Sequence, residues 1–357
     1  MITTILSPEN FSNVNPSETT PPPTPAGENI IEVQDLVKKY AGTTAVNEIS
    51  FTARKGEIIG FLGPNGAGKS TTMRILTGFI HATSGQARIA GFPVTTHGPE
   101  IRRRLGYMPE NNPLPEDLRV GEYLTLRGRI KGLRGRRLRE RMGEVLENCD
   151  LQRAQRRIIG TLSKGFRQRV GIAEAIIAEP EVIIMDEPTI GLDPHQIAMI
   201  RDLILNLRGK MTILISSHIL PEIEMTCDRV MIINAGRIVA ADTPQNLRRE
   251  FVPGTHYTAL WQGDFEQLQA RLQNYNSEIA LTASPAPTSG DGFRELEIVT
   301  PGDHEIGEDL VRELTASPDF RLRSLHRKTP SLEEIFMIAT KRSWEVVMPV
   351  GTSQSPS

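Results

Sequence analysis

An α/β domain with a parallel sheet, followed by a smaller α+β domain, is the fold this sequence predicts, on three observations. Gly63 to Ser70 is a glycine-rich stretch between the apolar run Glu57 to Leu62 and a segment with helical spacing at Met73, Leu76 and Phe79. Val182 to Met185 and Thr212 to Ile215 are short β-branched runs suited to strands buried on both faces, and each is followed at once by polar residues. Beyond Phe251 strand and helix patterns alternate in the order βαββαβ of a ferredoxin-like unit.

The glycine-rich stretch, Gly63-Pro64-Asn65-Gly66-Ala67-Gly68-Lys69-Ser70, fits the phosphate-loop pattern in full. Triphosphate oxygens are cradled only where successive backbone N–H groups turn inward. Gly63, Gly66 and Gly68 permit the required dihedrals and carry no side chain to block the anion. Lys69 supplies a point charge for the β- and γ-phosphates, and Ser70, at the N-terminus of the next helix, is placed to ligate Mg²⁺.

Taken in order, residues 1 to 28 are rich in Ser, Thr, Asn and Pro and are expected to form a flexible tail, because they lack the apolar surface to offset ordering entropy. Ile30 to Leu36 reads as a strand that Lys38-Lys39-Tyr40 ends before the turn at Ala41-Gly42; the Tyr40 ring either stacks on a purine or covers the sheet edge. Ser50 to Ala53 and Gly85 to Gly91 read as further strands. Leu105 to Glu110 is a short one that Pro109 must stop. From Val120 to Arg157 the spacing is helical. Eight basic residues fall between Arg127 and Arg141 against Glu140 alone, which gives either a face for anionic lipid or an acidic partner, or a solvated helix face.

Asp186-Glu187 and Ser216-Ser217-His218 follow the two buried runs, at the sheet edge where open α/β sheets bind ligands. Adjacent residues leaving a strand point different ways. Asp186 can therefore hold the Mg²⁺ shell while Glu187 faces the γ-phosphate to orient or deprotonate water, with His218 in reach of the same phosphate.

Length and composition set bounds. A chain of 357 residues suggests about two domains. Its 41 basic and 43 acidic residues, net charge −2, give no overall field toward nucleic acid or membrane. Cys149 and Cys227 have no metal-ligand spacing and point to free thiols in a reducing compartment. No run of eighteen or more apolar residues and no secretory signal occurs, so any membrane span is expected from partner chains.

With these residues in place the chain resembles the ATP-binding cassette (ABC) transporter ATPases, in five motifs in the family's order over residues 29–246. The motifs are the phosphate loop, Val182 to Pro188, the signature Leu162-Ser163-Lys164-Gly165-Phe166-Arg167-Gln168-Arg169, the D-loop Gly191-Leu192-Asp193-Pro194 and the switch histidine His218. The resemblance implies a P-loop NTPase nucleotide-binding domain with a helical subdomain, using ATP and Mg²⁺. It assigns Tyr40, Gly63, Pro64, Asn65, Gly66, Ala67, Gly68, Lys69, Ser70, Thr71, Ser163, Gly165 and Asp193 to the nucleotide. Ser70, Glu110 and Asp186 go to the metal, and Glu187, His218 and Lys69 to catalysis. It also implies a second nucleotide-binding subunit, as a homodimer, whose signature loop closes on the γ-phosphate, and an integral membrane permease that holds the protein on the cytoplasmic face of the membrane.

Two departures occur. Lys164 and Phe166 stand where the usual signature has glycine and glutamine, and Glu110 stands where a loop glutamine is usual. Both resemble ATPases of ABC-2 exporters of the drug-resistance and gliding-motility-associated kind, and residues 252–342 resemble their C-terminal domain. Residues 343–357 are expected to be disordered. No nucleic acid is expected as partner. The alternative is a soluble, non-transport ABC ATPase acting on a ribosomal or nucleic-acid partner, for which the basic segment is the only support.

Overall fold

The computed structural model describes residues 28–284, 292–302 and 306–347. The expected N-terminal tail before Glu28, residues 285–291, residues 303–305 and the expected C-terminal tail from residue 348 on lie outside the described residues.

Two long strands, β1 (Asn29–Tyr40) and β2 (Thr43–Arg54), form an antiparallel hairpin, and β3 (Ile58–Leu62) leads through the phosphate loop into α1 (Lys69–Leu76). β4 (Ser84–Ile89) and β5 (Phe92–Pro93) extend the hairpin into a sheet of order β2-β1-β4-β5. Next come α2 (Gly98–Arg104), β6 (Leu105–Met108), α3 (Val120–Ile130), α4 (Gly135–Asn148), α5 (Lys164–Ile176), β7 (Val182–Asp186), α6 (Pro194–Leu207) and β8 (Thr212–Ser217). α7 (Leu220–Thr226), the hairpin β9 (Arg229–Asn234) and β10 (Arg237–Asp242), and α8 (Pro244–Phe251) close the first part.

The second sheet runs β10-β9-β3-β8-β7-β6 and is parallel except for β10. Its central strands are buried on both faces, and their side chains alternate between two apolar layers. Ile58 and Leu62 of β3 join Ile183, Met185, Ile213 and Ile215 in one layer. Ile59 and Phe61 join Val182, Ile184 and Leu214 in the other, against α1 and the first sheet. This double burial is why the runs read as continuous β-branched segments rather than alternating ones.

Helical spacing from Val120 resolves into α3 and α4, broken at Lys131 to Arg134, where Gly132 takes a left-handed φ of 95° and ends α3. β9 and β10 form a hairpin that turns at Ala235-Gly236, an element that no expectation above covers.

Past Phe251 the order is β11 (Thr255–Gln262), α9 (Phe265–Tyr275), β12 (Ala280–Ala283), β13 (Arg294–Thr300), α10 (Gly307–Leu314) and β14 (Arg321–Lys328). The strands form an antiparallel sheet of order β12-β13-β11-β14, the arrangement of a ferredoxin-like unit. Every second residue of β11, Tyr257, Ala259 and Trp261, enters a core of its own with Leu268, Leu310 and Phe320.

The last helix, α11 (Leu332–Val347), behaves differently. It runs on past residue 342 into the stretch expected to be disordered, so residues 343–347 are helical rather than tail. Leu332, Ile335 and Ala339, on one stripe at helical spacing, are buried in the core of the first part and not in that of the ferredoxin-like sheet. Its start is tied down by Arg248 Nε, which donates to Pro330 O at 2.9 Å, and by Glu224, which pairs with Arg248 and accepts from Leu332 N. Ile335→Ala should therefore lower the unfolding free energy of the first part by about 2–4 kcal/mol. Urea unfolding followed through nucleotide-site fluorescence checks this; a change under about 0.5 kcal/mol would mean that the helix is not part of that core.

Both cysteines are free and buried. Burial pushes the Cys149 thiol up to about 12 and the Cys227 thiol higher still, which suits packing rather than redox chemistry.

Candidate functional site

In the parallel sheet Leu62 pairs with Ser217 and Ser216 with Asp186, so the C-terminal ends of β3, β8 and β7 lie side by side. The phosphate loop leaves the first, His218 the second and Glu187 the third. Two strand spacings, about 10 Å, separate β3 from β7. The loop and the first turn of α1 cross that gap, so that the Ser70 hydroxyl meets Asp186 Oδ1 at 3.2 Å.

Gly68 shows why the loop needs glycine. Its φ is 106°, and a Cβ there would come within 2.4 Å of the Ala45 carbonyl oxygen on β2. The same approach brings the tip of the β1–β2 hairpin beside the loop. Tyr40, paired with Thr43 at that tip, is 50% exposed, and the Lys38 ammonium lies 5.1 Å from its ring centroid. From Gly68 onward the free N–H groups of the first turn of α1, at Lys69, Ser70 and Thr71, face the loop opening.

Lys69 is folded back into the loop, donating to Gly63 O at 2.7 Å and Pro64 O at 3.3 Å. Burial lowers its pKa, and the nearby carboxylates of Glu187, Asp186 and Glu110 oppose that shift. The ammonium is thus desolvated and surrounded by acidic groups, and the loop carbonyls stand where phosphate oxygens would replace them.

Asp186 is 1% exposed and accepts from Ser216 Oγ at 2.5 Å as well as from Ser70. A carboxylate and a hydroxyl, both hard oxygen donors, suit Mg²⁺, which keeps several waters and takes its other ligands from phosphate. Among the described residues no group of three or more His, Cys, Asp and Glu side chains could hold a metal. A site of two protein oxygens plus substrate phosphates fits that finding, whereas a caged metal would not. Glu110, on the exposed loop after β6, is close enough to act electrostatically on Lys69.

Glu187 has a left-handed φ of 51°. For a non-glycine residue this conformation costs about 1–3 kcal/mol and persists only where its surroundings fix it. Its N–H donates to Ser216 Oγ at 3.0 Å and approaches Ser216 O at 3.2 Å. Its carboxylate is 8% exposed and lies 2.7 Å from His218 Nδ1, while the His218 ring is 50% exposed. The result is a nearly buried base held by a half-exposed imidazole facing the opening.

Lys69, Ser70, Asp186, Glu187 and His218 are thus brought together within one chain. The signature residues are not joined to them by any hydrogen bond among the described residues. Ser163 caps α5, accepting from Phe166 N, and a Cβ on Gly165 would meet the Gln196 side chain at 2.5 Å. Asp193 caps α6, accepting from Gln196 N at 2.9 Å. Signature and D-loop therefore pack against each other through Gln196. The two signature departures are accommodated inside the chain. The Lys164 ammonium lies over Gly191, and Phe166 packs on the core with the Arg169 guanidinium 4.1 Å from its ring.

Sequence pattern assigns no role to Ser216, although it holds both Asp186 and Glu187. The signal was present in the polar pair that ends β8, but a serine after a strand has many uses.

The basic segment divides in two. Arg127 pairs with Glu174, Arg136 with Glu140, Arg137 with Glu179 and Arg141 with Glu144, while Lys131 donates to the Arg102 and Leu105 carbonyls. Among the described residues Arg129, Arg134 and Arg139 make no ion pair or hydrogen bond. All three line one cavity of about 920 Å³ between α3 and α4, beside Leu138, Met142 and Leu146.

The family model described as ABC transporter matches residues 46–190. The chain is 32% identical over 321 residues to the linearmycin resistance ATP-binding protein LnrL of Bacillus subtilis (strain 168), which covers 88% of this chain and 99% of that protein. It is 37% identical over 232 residues to the Nod factor export ATP-binding protein I of Ralstonia nicotianae, covering 64% of this chain and 72% of that one. Among solved structures, an ATP-binding subunit of an ABC transporter is 33% identical with a TM-score of 0.58, covering 63% of this chain and 94% of the other. The cbiO1 protein of Clostridium perfringens, described as part of the ABC transporter complex cbiONQ, is 28% identical with a TM-score of 0.57.

Proposed function

This chain belongs to the ABC transporter family and is one of its ATP-binding ATPases; from that premise we propose that it pairs with a second copy around two Mg·ATP and drives a separate exporter permease. The observation that carries the reading is the rim itself, where Lys69, the Ser70–Asp186 pair and the Glu187–His218 pair meet at three adjacent strand ends.

In this reading Tyr40 stacks on the adenine and the loop N–H groups hold the β- and γ-phosphates. Lys69 exchanges the Gly63 and Pro64 carbonyls for phosphate oxygens. Ser70 and Asp186, with Glu110 near, would hold Mg²⁺, which when bound neutralises developing charge on the phosphates. Glu187 orients a water on the γ-phosphorus. As the water oxygen bonds to phosphorus, the bond to the bridging oxygen of ADP breaks and a water proton passes to Glu187. His218 holds the Glu187 carboxylate and, from its exposed side, senses the γ-phosphate. Ser163 and Gly165 at the N-terminus of α5, with Asp193, would complete the partner copy's site, since an anion arriving there meets a helix N-terminus. Hydrolysis would then loosen the pair and turn chemistry into motion.

The permease is expected to dock at the cavity between α3 and α4, its acidic residues meeting Arg129, Arg134 and Arg139 over the apolar floor. Reversing these three to Glu should reduce co-sedimentation with permease-containing membranes about tenfold, while Arg136→Glu, already paired with Glu140, should change it less than twofold. Equal effects from both would remove the docking assignment. The ribosomal or nucleic-acid alternative rested on this basic segment, and within it, among the described residues, three arginines are left without an ion pair, few beside the roughly six to ten phosphate contacts of a nucleic-acid binder. Relatives are named for linearmycin resistance and for Nod factor export, and on that ground the transport direction read here is export. The C-terminal ferredoxin-like unit of residues 255–328 is read as an accessory domain.

A further inference from the structure

We propose that Glu222, on α7, is a positioning residue for the hydrolytic carboxylate: it fixes the turn after Glu187 through Thr189, four residues along the chain from the histidine that holds the carboxylate itself.

Glu187 is strained, and a strained residue needs restraint on both sides. Upstream, β8 supplies it through the two Ser216 contacts. Downstream the chain turns tightly: Ile190 N donates to Glu187 O at 3.2 Å and Leu192 N to Thr189 O at 3.2 Å. Among the described residues that turn is anchored to the fold by one side-chain bond, in which Thr189 Oγ1 donates to Glu222 Oε2 at 2.7 Å. Thr189 is 5% and Glu222 9% exposed, so water does not readily replace the bond.

Glu222 is otherwise an expensive residue for this place. Its second oxygen, Oε1, is buried with no hydrogen-bond partner among the described residues. Burial raises its pKa, and the Glu187 carboxylate adds to the shift against Thr189, His218 and Arg201. An apolar residue would pack there at lower cost, so the carboxyl is best accounted for by what it holds. Its backbone carbonyl also accepts from Thr226 Oγ1 at 2.6 Å, which stiffens α7 behind it. One short segment, residues 218–222, therefore grips the catalytic stretch twice: His218 on the Glu187 carboxylate and Glu222 on the turn that aims it.

The inference rests on the reading of Glu187 as the group that acts on water, and the test separates the two. Steady-state ATP hydrolysis is measured for the wild type, Glu222→Ala, Glu222→Gln, Thr189→Val and the double variant Glu222→Ala/Thr189→Val. Glu222→Ala should lower kcat at least about tenfold with KM for ATP within about threefold, since misplacement of a reacting group by about 1 Å can cost about a hundredfold. Glu222→Gln, which keeps an oxygen for Thr189, should recover kcat to within about threefold of wild type. Thr189→Val should match Glu222→Ala, and the double variant should be no worse than either single one. Should Glu222→Ala fail to fold by circular dichroism, the near-isosteric Thr189→Val carries the test. Unchanged kcat, an equal loss with Gln and Ala, or additive losses would overturn the inference while the wild type remains active. A wild type without turnover would instead sink the reading of Glu187.

Discussion

Glu187→Gln is expected to leave ATP binding within about threefold of wild type and to lower the hydrolysis rate by about 100- to 1,000-fold. Glutamine has the shape of the carboxylate and can still face His218, so the strained turn and its Ser216 contacts should persist. It cannot take a proton from water, and general-base catalysis is worth roughly 10²–10⁴ in rate. Because ATP would bind and not be cleaved, the nucleotide-bridged pair of chains should accumulate, visible by light scattering with ATP and magnesium and absent without nucleotide. Single-turnover hydrolysis and nucleotide titration on the same sample separate the two effects. Retained turnover would remove Glu187 from its role, and lost binding would make its contribution structural.

Lys69→Ala is expected to weaken ATP binding by about 100-fold, and ADP binding by less. A charged hydrogen bond to phosphate contributes about 1.5–3 kcal/mol, or roughly 10- to 150-fold. The loss should fall in the upper part of that range. With Lys69 gone, Asp186, Glu187 and Glu110 face the triphosphate without the ammonium that now sits among them. ADP lacks the γ-phosphate and so loses fewer contacts. Equilibrium titration with a fluorescent nucleotide measures both. An ATP affinity within threefold of wild type would show that the lysine, though folded into the loop, does not hold the phosphates.

The phosphate loop and the three strand ends were legible because their sequence signals are local. A glycine pattern and a β-branched run carry their own structural meaning within a few residues. The βαββαβ order was legible for the same reason, since each element of that unit has its own period. Partnerships between elements were not. Nothing in the sequence says that Thr189 and Glu222 meet, because the contact depends on α7 packing beside the turn after β7. The basic segment looked uniform, yet its partners Glu174 and Glu179 lie on and after α5, beyond any local pattern. α11 was read with the unit it follows in sequence, while its Leu332, Ile335 and Ala339 stripe found a deeper site against α7 and α8. Backbone strain at Glu187 is likewise invisible in sequence, since glutamate has no preference for φ above zero.

Calorimetric titration of the Glu187→Gln protein with ATP in the presence of magnesium tests most directly whether three neighbouring strand ends form a nucleotide site. The expected result is saturable binding of one ATP per chain, weakened by Lys69→Ala. No heat of binding at ATP concentrations up to the millimolar range would contradict the account.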